Sequence, residues 1–166
     1  MALTIDAEAL YFGGPTTLTF NSVDVGATVD APKVSFDVTN YTPDFVGAKG
    51  PIKGTVITTK VIPSVEFTVN ELTAAKIKWA LPGSDGTDTI TWTPSRIDSA
   101  AYLTLVLVGT GLDGRTITFT LYNAMSSESQ SFEFGDTAVM GLKMKFTGYY
   151  DPATPTVAPF QIDIAA

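Results

Sequence analysis

The chain of 166 residues contains no cysteine and no histidine. Without cysteine it has no disulfide bonds, thiolate metal sites or cysteine nucleophile. Without histidine it lacks Ser-His catalysis, histidine-bound metals and the side chain whose unperturbed pKa lies nearest neutrality. These absences remove much of the common catalytic and metal chemistry. The sequence therefore predicts a protein that is not an enzyme, with no cofactor and no small-molecule substrate.

Charge is also scarce, at 16% of residues against about a quarter in ordinary soluble domains. Seventeen acids oppose ten bases, which gives a formal net charge of −7. Such a protein repels nucleic-acid phosphates and anionic membranes, so a conventional DNA-binding role is disfavoured. The remaining surface must carry threonine, serine and apolar groups, as expected of a protein whose faces are covered by neighbouring subunits.

No apolar run approaches the roughly 18 residues of a membrane-spanning helix, and the first basic residue is Lys33. The N-terminal segment thus lacks the basic region of a secretory signal, and we expect a soluble protein without a membrane anchor. The length suits one domain, residues 1–166, which is large enough to bury a substantial core.

Alternation of apolar and polar residues is the main local signal and predicts antiparallel strands. In the clearest example, Val34, Phe36 and Val38 share one face. The predicted strands are 34–39, 55–69, 89–94, 102–108, 116–122, 139–149 and 160–164.

One helix is predicted over about residues 70–81, with a capping box formed by Thr68 and Glu71 and a stop at Pro82-Gly83. Its apolar side is flanked by Lys76 and Lys78. Before it lies a long loop, about residues 41–54, whose five Gly and Pro residues leave it little internal structure. Loops of this length are commonly functional or disordered.

The strongest local signal is a hairpin around residues 109–115. A two-residue turn at Asp113-Gly114 would set Leu107 opposite a threonine and mix the two faces. An odd-length loop centred on Leu112 instead pairs Leu107 with Ile117 and makes one face wholly apolar. Leu103, Leu105, Leu107, Ile117, Phe119 and Leu121 belong to that face, and Thr104, Thr118 and Thr120 belong to the other.

Three patterns suggest chemistry but fit a structural interpretation better. Gly109, Gly111 and Gly114 match a dinucleotide-binding fingerprint, but a β-branched run follows them where that motif needs a helix. Acids in turns, Asp85 with Asp88 and Glu128 with Glu133, match no metal loop and favour local hydrogen bonding. The two tryptophans could stack on sugars, although core packing is favoured for both Trp79 and Trp92.

Charge is unevenly distributed along the chain. The first 45 residues hold six acids and one base, whereas lysines cluster over residues 49–78. Two interpretations remain open. The distribution is either ordinary surface scatter or a pair of complementary faces that let identical rings stack head to tail.

Several segments resemble the major tail tube proteins of long-tailed, siphovirus-like bacteriophages. The resemblance is carried by residues 47–55, 62–72, 80–83 and 141–150, and by the Asp151-Pro152 and Ala158-Pro159-Phe160 that follow. It spans roughly residues 47–164, and the first 40 residues carry little of it.

The resemblance implies a mainly β fold, in which two antiparallel sheets pack as a sandwich or small barrel with one flanking helix. It also implies self-assembly into stacked hexameric rings that form a hollow conduit for DNA delivery in a virion, and synthesis of the protein in the bacterial cytoplasm. The partners would be copies of the chain and other tail proteins at the tube ends, and DNA would pass without specific binding. We expect the channel to be lined by Asp37, Thr104, Thr118 and Thr120. We expect contacts between subunits through Pro43, Phe45, Lys49, Pro51 and Lys53 of the long loop.

Two alternative functions remain. A tube subunit of a phage-like injection device has the same sequence features as a tail tube subunit. A monomeric carbohydrate-binding β-sandwich is a different class and would bind glycans without assembling.

Overall fold

The computed structural model describes residues 16–44, 46–47, 50, 52–92, 96–111, 114–128, 130 and 141–165. The fold is mainly β with antiparallel pairing and one α-helix, as the sequence predicts. The strands and the α-helix of the described residues are β1 Thr16–Phe20, β2 Val23–Asp24, β3 Lys33–Tyr41, β4 Ile57–Val69, α1 Ala74–Ala80, β5 Ser84–Asp85, β6 Thr91–Trp92, β7 Leu103–Thr110, β8 Thr116–Ser126, β9 Leu142–Gly148 and β10 Phe160–Ala165.

The long strand β8 divides the molecule into two layers. Its first half pairs with β7 on one side and with β10 on the other, whereas its end pairs with β9. We call β2, β1, β7, the first half of β8 and β10 the β10 sheet. The end of β8 with β9, β4 and β3 forms the β3 sheet. Strands that pass from one sheet to the other in this way are typical of sandwiches with turned corners.

The change of sheet takes place at Asn123, which has a positive φ of 49°. Here β8 contains an extra residue relative to β7, because Leu105 pairs with Leu121 but Leu103 pairs with Ala124. Such a bulge bends a strand and increases its twist. The Tyr149 amide donates to the Asn123 carbonyl at 3.2 Å, and the Asn123 side-chain amide donates to the Tyr149 carbonyl at 3.3 Å. The bend is therefore held from the end of β9.

The core lies between the two sheets and is rich in aromatic rings. Phe146 on β9 packs against Phe20 on β1 and Phe67 on β4, with ring centroids 4.6 and 5.7 Å apart. Phe36 on β3 reaches across to Phe119 on β8 at 5.9 Å. These contacts join the inner faces of the two sheets, which explains why their apolar residues alternate with polar ones.

The predicted hairpin forms between β7 and β8 with the expected apolar face, but the predicted pairs are wrong. Leu107 pairs with Phe119, and Ile117 pairs with Gly109. The register is thus two residues away from the predicted one, which preserves the faces because side chains alternate with a period of two. The glycine pattern is followed by strand β8, as the hairpin interpretation requires. Leu112 and Asp113, at the predicted centre of the loop, lie outside the described residues.

Helix α1 is shorter than predicted, and its predicted cap is wrong. Thr68 remains in β4, where it pairs with Lys143 of β9, so it cannot cap the helix. Thr73 caps it instead, because its side-chain oxygen accepts a hydrogen bond from the Lys76 amide. Lys76, predicted at the flank, is buried and forms an ion pair with Glu71.

Only one of the two tryptophans packs in the core as predicted. Trp79 meets Phe20 edge to face, with centroids 5.3 Å apart. The prediction for Trp92 is wrong, because this side chain is 59% exposed and its indole N–H donates to the Pro82 carbonyl. Trp92 lies on the two-stranded β5–β6 hairpin, outside the main sheets.

Gly148 provides a test of the packing at the bend of β8. A Cβ atom at this position would lie 2.7 Å from the Leu121 Cδ1 atom and 3.0 Å from the Pro63 Cγ atom. We therefore expect Gly148→Ala to lower the free energy of unfolding by about 1–3 kcal/mol through overpacking. Chemical denaturation measures this loss. Gly50→Ala is the control, since its Cβ would meet nothing within 4 Å, and an equal loss in both variants would contradict the account.

Candidate assembly and channel surfaces

The outer face of the β10 sheet is built from rows of short, mostly uncharged side chains. One row runs Thr19, Val106, Thr120 and Gln161 across four paired strands. The next row runs Thr17, Val108, Thr118 and Asp163. Thr104 is two residues from Val106 on β7 and shares its face. We call this surface the hydroxyl face.

The described residues of the hydroxyl face include no lysine or arginine and two acids, Asp163 on β10 and Asp24 on β2, which pairs with Thr19. The Gln161 side-chain amide donates to both Asp163 carboxylate oxygens, at 2.8 and 3.0 Å. The Tyr122 hydroxyl in turn donates to the Gln161 side-chain oxygen at 2.8 Å. The carboxylate therefore belongs to a hydrogen-bonded series along the β8–β10 pair.

The outer face of the β3 sheet differs, because charges of both signs are paired across its strands. Lys143 on β9 contacts Glu66 on β4 at 2.6 Å, and Lys145 contacts Glu128 at 3.8 Å. The hydrogen bond from Lys143 lowers the pKa of Glu66, and the same bond raises the pKa of Lys143. This surface thus presents fixed, alternating charge.

The structure brings three of the four predicted channel residues together. Thr104, Thr118 and Thr120 share the hydroxyl face. Asp37 lies apart from them. Its neighbour Phe36 is 41% exposed but lies on the inner face of β3, opposite the buried Pro63 and against Phe119, so Asp37 lies on the outer face of the β3 sheet. The alternation of apolar and polar residues predicts that each of these residues lies on the polar face of its strand. It does not indicate which sheet the strand joins.

The loop between β3 and β4 stands clear of the rest of the chain where it is described. A Cβ atom placed on Gly47, Gly50 or Gly54 would meet no heavy atom within 4 Å. Of the predicted contact residues, Pro43 is half-buried and Lys53 is exposed. Phe45, Lys49 and Pro51 lie outside the described residues.

The apolar side chains of this loop are unusually exposed. Val46 is fully exposed, and Ile52 and Val56 are 42% and 51% exposed. Tyr41 and Ile57, the last pair of the β3–β4 ladder, are also exposed. Several large apolar side chains exposed within one short segment favour an interaction surface there.

Strand β10 is an edge strand in the described part of the fold. Its one strand neighbour there is β8, and five of its six residues are exposed, Ile162 and Ile164 among them. It contains neither the proline nor the lysine with which proteins commonly protect sheet edges. β2 ends the opposite side of the same sheet. Among the described residues, the β10 sheet therefore has two edges without a strand neighbour.

The described residues include neither a metal-binding group of acids nor a membrane-spanning helix. No group of three or more acids among them could hold a metal ion. No helix in the same residues combines the length and apolarity needed to cross a membrane. Asp85 accepts a hydrogen bond from the Gly86 amide, as expected of an acid in a turn.

Comparison with solved structures finds proteins of similar fold. The chain is similar to the anti-feeding prophage cap, a tube-terminating cap solved by cryo-EM, with a TM-score of 0.55 and 14% sequence identity. The match covers 99% of this chain and 100% of the cap. No protein family and no curated protein matches the sequence. At this identity the likeness establishes a shared fold over the whole chain.

Proposed function

We propose that this protein is a structural subunit of a phage-tail-like tube, which assembles with copies of itself into rings around a channel. The observation that carries the proposal is the β10 sheet, which has an unprotected edge strand and an outer face without a described basic residue. The similarity of the fold to a tube-terminating cap supports it.

The two edges of the β10 sheet give the assembly its geometry. β10 of one copy would lie beside β2 and β1 of the next, so that main-chain hydrogen bonds continue from subunit to subunit. Such a contact joins two different surfaces, and a repeated contact of this kind closes into a ring if its rotation permits. Six-membered rings are the form implied by the resemblance to tail tube proteins.

A ring closed in this way turns one face of the β10 sheet toward the channel. Because the inner face of this sheet packs in the core, the hydroxyl face is the one that would line the lumen. Short uncharged hydroxyl groups would bind phosphates weakly and the two acids would repel them, so a genome would pass without adhering. Asp37, on the other sheet, takes no part in this lining.

A second candidate is the cap that terminates such a tube, because that is the described role of the structurally similar protein. A tube subunit must bind its own kind on both ring surfaces, whereas a cap binds a tube on one. Single rings that do not stack would favour the cap. The tube of an injection device carries a different cargo from a phage tail tube. The lining proposed above suits either tube, so it does not distinguish between them.

Negative-stain microscopy of the purified protein, with and without preformed seeds, tests the proposal. We expect rings with a central hole, and stacks of rings if the chain is a tube subunit. A protein that stays monomeric at millimolar concentration with seeds present would contradict assembly. Retention of that monomer on a glycan array would favour a carbohydrate-binding module.

Basic substitutions test which face lines the channel. We expect Thr104→Lys with Thr118→Lys to leave rings intact but to make them retain DNA in a salt-dependent manner, because each ring repeats both new charges around the lumen. Retention is measured by co-sedimentation with double-stranded DNA at increasing salt. Ser35→Lys with Thr39→Lys, on the outer face of β3, adds the same charge elsewhere and is the control. Equal retention of DNA inside both particles would contradict the assignment.

A further inference from the structure

A cleft lined by tyrosines lies where the turn before β7 meets the end of β9. Its volume is about 760 Å³, within the usual range for binding pockets. Tyr102, Tyr149 and Tyr150 form its walls, with Arg96 and Asp151 among the other lining residues. A second groove of about 590 Å³ shares Tyr150 and follows residues 58–61 of β4. The two together form a path that an extended segment could follow.

The walls of this tyrosine cleft are held in place by the fold. The rings of Tyr102 and Tyr149 meet edge to face at 5.2 Å and 83°. Burial, with Tyr102 nearby, raises the pKa of Tyr149, so its hydroxyl is neutral in ordinary buffers. The Tyr150 hydroxyl donates to the Val61 carbonyl at 2.9 Å and accepts from the Val61 amide at 3.3 Å. A partner thus meets preformed aromatic surfaces with little loss of side-chain freedom.

Arg96 has no ion pair or hydrogen bond with the residues that the structure describes. It is exposed at the cleft beside the three tyrosines. Tyrosine and arginine are the residue types that most often dominate protein–protein contacts. An unpaired guanidinium next to tyrosine rings favours a partner with a carboxylate beside apolar groups.

The β3–β4 loop has the matching chemistry. Its exposed Val46 and Ile52 need apolar cover, and Asp44 lies two residues from Val46. Lys53 follows Ile52, so the loop carries one acid and one base. The cleft carries the opposite charges, because Arg96 is available to an acid and Asp151 to a base. Complementary pairs of this kind matter in a chain of net charge −7, because identical copies otherwise repel one another.

We propose that the β3–β4 loop of one copy docks in the tyrosine cleft of the next copy. Val46 and Ile52 contact the tyrosine rings, and Asp44 pairs with Arg96. This inference rests on the proposed self-assembly and adds the acceptor surface for the loop. The loop and the cleft are different surfaces, so each copy gives one contact and receives one, as ring closure or stacking requires.

Disulfide trapping tests the contact directly, because the chain has no cysteine of its own. Val46→Cys places a thiol on the exposed loop, and Ser99→Cys places one at the cleft. Mixing the two single variants under mild oxidation should give a covalent dimer that contains one of each. Asp30→Cys replaces Ser99→Cys as the control and should give no more than background dimer, because this exposed residue follows Val29, which lies beside Gly141 before the start of β9, whereas the cleft lies at the end of that strand.

A charge exchange tests the ion pair. Asp44→Arg and Arg96→Asp should each raise the protein concentration needed for half-assembly by about tenfold or more, and the double variant should recover most of the loss. Normal rings without cross-linking or recovery would overturn the cleft as acceptor while the proposed function stands. No assembly by the unmodified protein would defeat both. Binding of a glycan to the cleft, lost in Arg96→Asp, would also overturn the inference.

Discussion

Replacing Phe146 by alanine is expected to lower the free energy of unfolding by about 3–5 kcal/mol. Phe146 is fully buried at the centre of the core, where it contacts Phe20 from the β10 sheet and Phe67 from its own sheet. Its removal leaves a cavity between the two layers and takes away two aromatic contacts, and the rigid strands cannot close the gap. Urea or thermal unfolding of the monomer measures the effect.

Ile164→Ala is the matched control for this prediction, because the side chain is 68% exposed on β10. Surface changes of this kind usually alter stability by no more than about 0.5 kcal/mol. If both substitutions cost the monomer the same free energy, the two sheets would not share the aromatic core that the contacts indicate.

Deleting residues 43–50 is expected to abolish assembly while leaving the subunit folded. The deletion removes Val46 and Asp44 but keeps Tyr41 and Ile57, the last pair of the β3–β4 ladder. Because a Cβ atom added at Gly47 or Gly50 would meet no heavy atom within 4 Å, we expect few packing contacts within the subunit to be lost. Size-exclusion chromatography and microscopy should find monomers at concentrations where the full chain forms rings.

Circular dichroism and the unfolding midpoint provide the control for the deletion, since both should remain close to those of the full chain. Asp44→Asn with Val46→Ser keeps the loop length and should weaken assembly in the same direction. Normal rings from the shortened chain would mean that the β3–β4 loop does not join subunits.

The strands were largely predictable because one face of each strand packs in the core and the other contacts water. Val65, Phe67 and Val69 alternate with polar residues along β4, and all three are buried. Pairing was less predictable. The sequence determines which side of β7 and β8 is apolar, but a shift by two residues preserves that pattern, so the choice of Leu107 opposite Phe119 depends on contacts outside the hairpin.

The local environment of the helix was predicted poorly because distant segments decide it. Lys76 follows the pattern of a solvent-facing residue, yet it is buried with its ammonium group paired to Glu71. Its ammonium nitrogen lies close to Gly26, from the turn after β2, where an added Cβ would come within 3.2 Å. No pattern within residues 70–81 indicates that this turn approaches.

The candidate surfaces were likewise predictable where they depend on one strand, and not where they depend on segments far apart in the sequence. Sequence reasoning identified the threonines of β7 and β8 as an outer face, and β1 and β10 extend that face through pairings. The tyrosine cleft was not found, because its walls come from residues 96–102, from Asn123 and from residues 149–152. The bend at Asn123 and the contact between the Tyr102 and Tyr149 rings join these segments, and no spacing in the sequence signals either feature.

A side-chain-resolution cryo-EM map of the assembled particle tests the central claim most directly. The account predicts rings in which β10 of each copy lies beside the β2–β1 edge of the next, with Thr104, Thr118 and Thr120 lining the lumen. Rings with these threonines on their outer surface, or rings joined through the charged face of the β3 sheet with β10 left exposed, would contradict it.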